Sequence, residues 1–255
     1  LFLTYFLSLI IFSVPIALGQ EVLWKDFENS QVRLIAVGGG VNDSEGIRAG
    51  IHIRMDENWE TYWRTPGDAG IPPTFDWSAS QNIDSVHIEW PTPEIFENDG
   101  VVTYGYKDEI VFPILIELSD NTKSAVIDLN FSYGICQKIC RRVDVNLSLA
   151  VPLEGISNMA LETLIEDYRS RVPAKSSFRG MSVERATMTT ADKPTLEVIA
   201  RASEPFVDPK IIFEGPKGIT FGKSSIRLLA GGRRAIIISS VDGDKEELRD
   251  LINKN

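Results

Sequence analysis

"SAVIDLNFSYGICQKICRRVDVNLSLAVPL", residues 124–153, decides how the rest of the chain is read. On each side of its centre, β-branched or aromatic residues recur at period two, which is the pattern of an extended strand with one buried face. At the centre stand Cys136 and Cys140, the only two cysteines in 255 residues. An extended strand would hold positions four apart at ~13 Å, far beyond the ~4.4–6.8 Å between Cα atoms that a disulfide tolerates. Bonded cysteines therefore require a turn within "CQKIC", which Gly134 just before it can help to form.

Working outward, the same alternation recurs in "QVRLIAV", "GIRAGIHIRM", "SVHIEW" and "EIVFPILIEL", with Gly, Pro, Asn or Asp clusters between the runs. Antiparallel strands produce this pattern. Six or seven of them over residues 21–153 predict a mainly β, immunoglobulin-like β-sandwich. "SNMALETLIEDYRSRV" switches to helical spacing, with Ser157 or Asn158 as cap and Pro173 as the stop. A second β series follows: "MSVERATM", "TLEVIARA", "KIIFEG", "SIRLLA" and "RAIIISSV". The expected organisation is a leader over 1–19, an immunoglobulin-fold domain over 20–153, a helical linker over 154–177 and a second, smaller β-sandwich-like domain over 178–255. The final "DKEELRDLINKN" reads as a short helix or a frayed tail, and no internal repeat is evident.

Composition narrows the function. With 43% hydrophobic and 24% charged residues the chain is globular and long enough to build a core without cross-links. The 26 basic against 36 acidic residues leave a net charge of −10, which repels nucleic-acid backbones. "VGGGVNDSEG" from Val37 lacks the order of a phosphate loop and reads as a turn. Leu1 to Ala17 is an almost unbroken apolar run followed by small residues, Ala17-Leu18-Gly19. It reads as a signal peptide missing its basic start, with a membrane anchor as the alternative. The expected location is outside the cytoplasm, with no stable membrane insertion after cleavage. Disulfides persist there.

Three readings of the cysteine pair compete. A metal needs about four ligands, and His52 and His87 lie in other strands, so no metal and no cofactor are expected. A passive bridge closing so short a loop stabilises by only about 2 kcal/mol in the chain-entropy model. A redox-active pair is favoured by Lys138, Arg141 and Arg142, cations beside the sulfurs that would stabilise the attacking thiolate. Trp59, Tyr62, Trp63, Trp77 and Trp90 offer a rival function. Exposed, they would make the platform of a non-catalytic binding module with an incidental disulfide; buried, they are core, the preferred reading. Asp68 and Arg64 between them are a candidate ion pair. A Ser/His/Asp hydrolase finds no nucleophile elbow.

"NWETYWRTPGDAGIPPTFDW" (58–77), "EWPTPEIF" (89–96), "VTYGYKDEIVFPI" (102–114) and the paired cysteines together resemble the N-terminal periplasmic domain of the DsbD family, in its ScsB-like form. The resemblance covers residues 21–153. It implies a thiol:disulfide interchange protein of protein-disulfide reductase type. Electrons would pass from a thioredoxin-like or membrane donor to oxidised periplasmic proteins through Cys136 and Cys140, with Cys140 the nucleophile and Cys136 the resolving thiol. It also implies a cap over the sulfurs at Tyr104-Gly105, with Tyr106 nearby. Three departures stand out: Thr103 where DsbD has Phe, the short Cys-x3-Cys spacing, and Arg141-Arg142 where relatives tend to have a residue and Pro. No multi-helix membrane domain or thioredoxin domain follows within the 255 residues, so the donor is expected to be a separate protein.

Overall fold

The computed structural model describes residues 23–38, 46–174, 180–189, 193–216 and 218–244. The leader, most of the glycine turn after Val37 and the final acidic-basic stretch fall outside the described residues.

Two antiparallel sheets face each other. The first is ordered β1 (Lys25–Phe27), β2 (Ser30–Gly38), β3 (Ile47–Met55), β9 (Glu109–Leu118) and β6 (Ile83–Ile88). The second is ordered β11 (Cys140–Val151), β10 (Ala125–Cys136), β4 (Glu60–Gly67), β8 (Val101–Lys107) and β7 (Glu94–Asn98), with the short β5 (Thr74–Asp76) also paired to β10. Period-two alternation explains the core. Ile47, Ala49, Ile51 and Ile53 of β3 are fully buried, as are Ile127 and Leu129 of β10. Complete burial of one aliphatic side chain contributes roughly 1.5–3 kcal/mol. Across the sandwich, Ser30 and Tyr133 share a buried hydroxyl–hydroxyl bond of 2.9 Å. This is the expected immunoglobulin-like sandwich, though with eleven strands where six or seven were predicted over 21–153. The extra ones are short or, like β4 and β8, irregular in register, so alternation alone does not expose them.

Helix α1 (Met159–Arg169) covers the outer face of the first sheet. Asn158, not Ser157, caps it, its Oδ1 accepting from the N–H groups of Ala160 and Leu161 at 3.1 and 3.2 Å. The helix stops four residues before Pro173, where Thr92 takes the Arg171 carbonyl with both its N–H and its hydroxyl. Gly50 lets the helix sit close: a Cβ there would come within 2.7 Å of Val111 and 3.5 Å of Ile165.

The remaining strands form a third sheet, β12 (Ser182–Thr189), β13 (Thr195–Arg201), β16 (Arg234–Asp242) and β14 (Thr220–Phe221), with β15 (Ser225–Leu229) also on β16. "KIIFEG" (210–215), expected as a strand, is irregular. Its alternation serves two masters: Ile211 and Phe213 pack against Val198, Ala235 and Ile237, whereas Ile212 packs against the sandwich core. Flanking Pro209 and Pro216 also lack the N–H groups a ladder needs.

Candidate functional site

Strands β10 and β11 are one hairpin paired along its full length, and Cys136 and Cys140 are its last opposed pair. Gln137, Lys138 and Ile139 make the turn. The sulfurs are bonded, with Cα atoms 4.1 Å apart. Burial splits them: Cys136 is 8% exposed, whereas Cys140 stands among the exposed residues of the turn.

The neighbours follow from register. Cys136 lies opposite Glu60, Tyr62 lies opposite Gly105, and Glu60 lies opposite Lys107. Directly opposed residues of an antiparallel pair share a face. The sulfur face thus carries Glu60, Tyr62, Gly105, Lys107 and Gly134. The buried Tyr62 places its hydroxyl 3.2 Å from Cys140 Sγ. A disulfide sulfur has no proton, so the phenol donates. Burial, followed by the negative charge of Glu60, pushes the Tyr62 hydroxyl above its ordinary pKa and keeps that proton in place.

Gly134 makes room for the ring and Gly105 for the backbone of β4. A Cβ on Gly134 would meet Ile71 at 2.6 Å and the Tyr62 ring at 3.0 Å, and one on Gly105 would meet the Thr61 carbonyl at 2.1 Å. Gly70 approaches the ring from the loop between β4 and β5, where a Cβ would lie 2.5 Å from Tyr62 Cδ1. The cover over this end of the sheet is therefore Tyr62 with the 67–71 loop.

That corrects the expected cap. Alternation turns Tyr104 and Tyr106 to the other face. Tyr106 is buried with its ring against Phe112 and donates to the Pro91 carbonyl at 2.8 Å. Tyr104 sits edge-on to Trp63 and packs on the core. Of the expected residues only Gly105 lies on the sulfur face. Tyr62 was legible only as one member of an aromatic cluster, because strand pairing, not spacing, brings it to Cys140.

The cations are also partly committed. Arg141 falls on the face opposite Cys140, where Glu28 pairs with it, and Arg142 pairs with Asp144 at 3.0 Å. Lys138 is exposed at the tip of the turn. The expected Asp68–Arg64 pair does not form: Asp68 accepts from the Val102 N–H at 2.8 Å, while Arg64 binds Glu214. Trp63 is buried, and Trp59, Trp77 and Trp90 pack against the core, so these indoles are not an open platform. His52 and His87 stand on the first sheet, not beside the sulfurs.

The family model described as "Thiol:disulfide interchange protein DsbD, N-terminal" matches residues 32–152. A second family model, a domain of unknown function (DUF8393), matches residues 171–255. In fold the chain is similar to the crystal structure of the N-terminal periplasmic domain of ScsB from Proteus mirabilis, with a TM-score of 0.68 and 23% sequence identity over 87% of this chain and 84% of that one. No curated protein matches. Residues 32–152, just under half of the chain, are thus similar to the N-terminal domain of the thiol:disulfide interchange protein DsbD and share the fold of the ScsB domain.

Proposed function

We propose that the chain relays electrons in the periplasm, from a thioredoxin-like or membrane donor to oxidised proteins, through Cys136 and Cys140. The periplasmic setting rests on the ScsB likeness and on the apolar leader in the sequence. One observation carries the chemistry: an exposed sulfur with a hydrogen-bond donor beside a buried partner sulfur. Exchange proceeds by in-line attack of a thiolate on one sulfur of a disulfide, and access selects which sulfur is struck.

In the loading direction, a thiolate of the dithiol donor attacks Cys140 Sγ. A mixed disulfide forms and Cys136 leaves as a thiolate. The donor's second thiolate then attacks its own bonded sulfur and releases Cys140, whose negative charge the Tyr62 hydroxyl stabilises. In the unloading direction the Cys140 thiolate attacks the disulfide of an acceptor, and Cys136 resolves the adduct. Two electrons move in each passage.

Trapping tests the reading. The Cys136→Ser chain, reduced and mixed with a periplasmic extract under oxidising conditions, should accumulate covalent adducts through Cys140 that dithiothreitol releases on a gel. Cys140→Ser should give none. Equal adduct from both variants, together with a wild-type bridge that resists a reduced thioredoxin, would overturn it.

A further inference from the structure

The row that ends at the disulfide continues across the sheet: Cys140 on β11, Cys136 on β10, Glu60 on β4 and Lys107 on β8 are successive opposed residues. Opposed Cβ atoms in antiparallel pairs lie about 4.5–5.5 Å apart. Cys136 therefore has its bonded partner on one flank and a carboxyl side chain on the other. Glu60 is half-buried, and its carboxyl makes no hydrogen bond or ion pair with another described residue. Two other acids near this end of the hairpin are committed, Glu28 to Arg141 and Asp144 to Arg142. A carboxyl without a partner beside a buried sulfur is unusual, because burial disfavours its charge without compensation. Burial indeed raises the Glu60 pKa, with Lys107 opposing. The titratable or charged groups sharing its face are Lys107 on β8, Glu94 on β7, Tyr62 on β4, the two cysteines, and Arg142 and Asp144 on β11, which pair with each other.

We propose that Glu60 is the proton donor and acceptor for Cys136 during exchange; this rests on the redox reading of the pair. A thiolate released into a nearly closed site needs a proton, and a resolving thiol must lose one. On loading, the donor's thiolate bonds to Cys140, the Cys136–Cys140 bond breaks, and the Cys136 thiolate takes the proton of the neutral Glu60 carboxyl. On unloading, the Glu60 carboxylate takes the proton of the Cys136 thiol. The resulting thiolate attacks Cys140 Sγ and expels the acceptor's sulfur as a thiolate. The exposed Cys140 needs no such help.

The test separates formation from resolution of a mixed disulfide. The reduced full chain is mixed with glutathione disulfide, quenched with acid at intervals and weighed by mass spectrometry between pH 5 and 8. In Glu60→Gln the glutathione adduct should form at the wild-type rate but decay about tenfold more slowly or worse. Over the steady rise that thiol ionisation alone gives and Glu60→Gln keeps, the wild-type decay rate should show an added step through the Glu60 titration, which Glu60→Gln lacks and Glu60→Asp partly restores. Wild-type decay in Glu60→Gln across the range overturns the role of Glu60 while the redox pair stands; absence of any adduct in the wild-type chain sinks both. Should Glu60→Gln not fold, carbon NMR of the unaltered chain decides. The Glu60 carboxyl should titrate differently in the oxidised and reduced proteins, and identical curves would overturn the role.

Discussion

The two sulfurs differ through single contacts. Tyr62 donates to Cys140, and among the described residues no hydrogen-bond donor is seen on Cys136 Sγ. A hydrogen bond to a charged acceptor contributes about 1.5–3 kcal/mol, and one pKa unit corresponds to about 1.4 kcal/mol. Tyr62→Phe keeps the ring wedged between Gly70 and Gly134 but removes the donor. In the reduced protein the Cys140 thiol of this variant should titrate about 1–2 units higher than in the wild type, and alkylation by iodoacetamide at neutral pH should slow about tenfold. An unchanged thiolate absorbance titration would show that the phenol only fills space. Such a donor is invisible in the sequence, where Tyr62 and Cys140 stand 78 positions apart.

Among elements, β2, β3 and β9 are joined on their outer face by an unusual ring. His52, fully buried on β3, accepts at Nδ1 from Arg33 of β2 at 3.1–3.2 Å and meets Glu109 of β9 through Nε2 at 2.6 Å. Arg54 also donates to Glu109, and the Trp24 ring lies over the imidazole with Arg33 and Arg54 against it. Burial holds the His52 pKa at about 4, with Arg33 and Arg54 adding to the depression and Glu109 opposing it. An unfolded histidine binds its proton near pH 6.5. Between those values the unfolded state carries the extra proton, so stability is complete above pH 6.5 and falls toward pH 4, by about 3 kcal/mol. Glu109, whose own pKa is lowered, extends the loss in the same direction below the ordinary carboxylate value. Urea midpoints at pH 7, 5.5 and 4 should show the decline, and His52→Asn should flatten it above pH 5; a flat wild-type curve would refute it. The elements themselves were largely legible, because long alternating runs such as β10 and β11 declare both their strand and their buried face. The short β1, β5 and β7 were not, since three to five residues contain too few alternations. Nor was the fate of "KIIFEG", whose period-two pattern matches a strand but divides between two bodies.

At the scale of the molecule, the segments on either side of β14, leading into and out of that strand of the third sheet, grip the strands that hold the site. Glu214 accepts from Arg64 Nε at 2.7 Å and from the Thr65 hydroxyl at 2.8 Å, both on β4, the strand of Glu60 and Tyr62. Lys223 binds Glu97 of β7, the hairpin partner of β8, at 2.8–2.9 Å. These links join residues 126–150 positions apart, so no local pattern announces them. Each is a partly exposed ion pair and contributes only about 0–1 kcal/mol, too little to set global stability. Their place matters more than their strength. Local opening needs less energy than unfolding, and about 1 kcal/mol changes an opening equilibrium roughly fivefold. The double variant Glu214→Ala, Lys223→Ala should therefore melt within a few degrees of the wild type yet exchange the amide protons of β4, β7 and β8 several-fold faster. The β10–β11 hairpin, which neither link touches, should be unchanged. Reduction of the bridge by dithiothreitol should quicken in parallel, because β4 carries the Tyr62 cover. Moderate salt should mimic the variant by screening both pairs. If exchange in β4 and β7 stays at the wild-type rate, the third sheet is a passenger, and control of access belongs to the 67–71 loop alone.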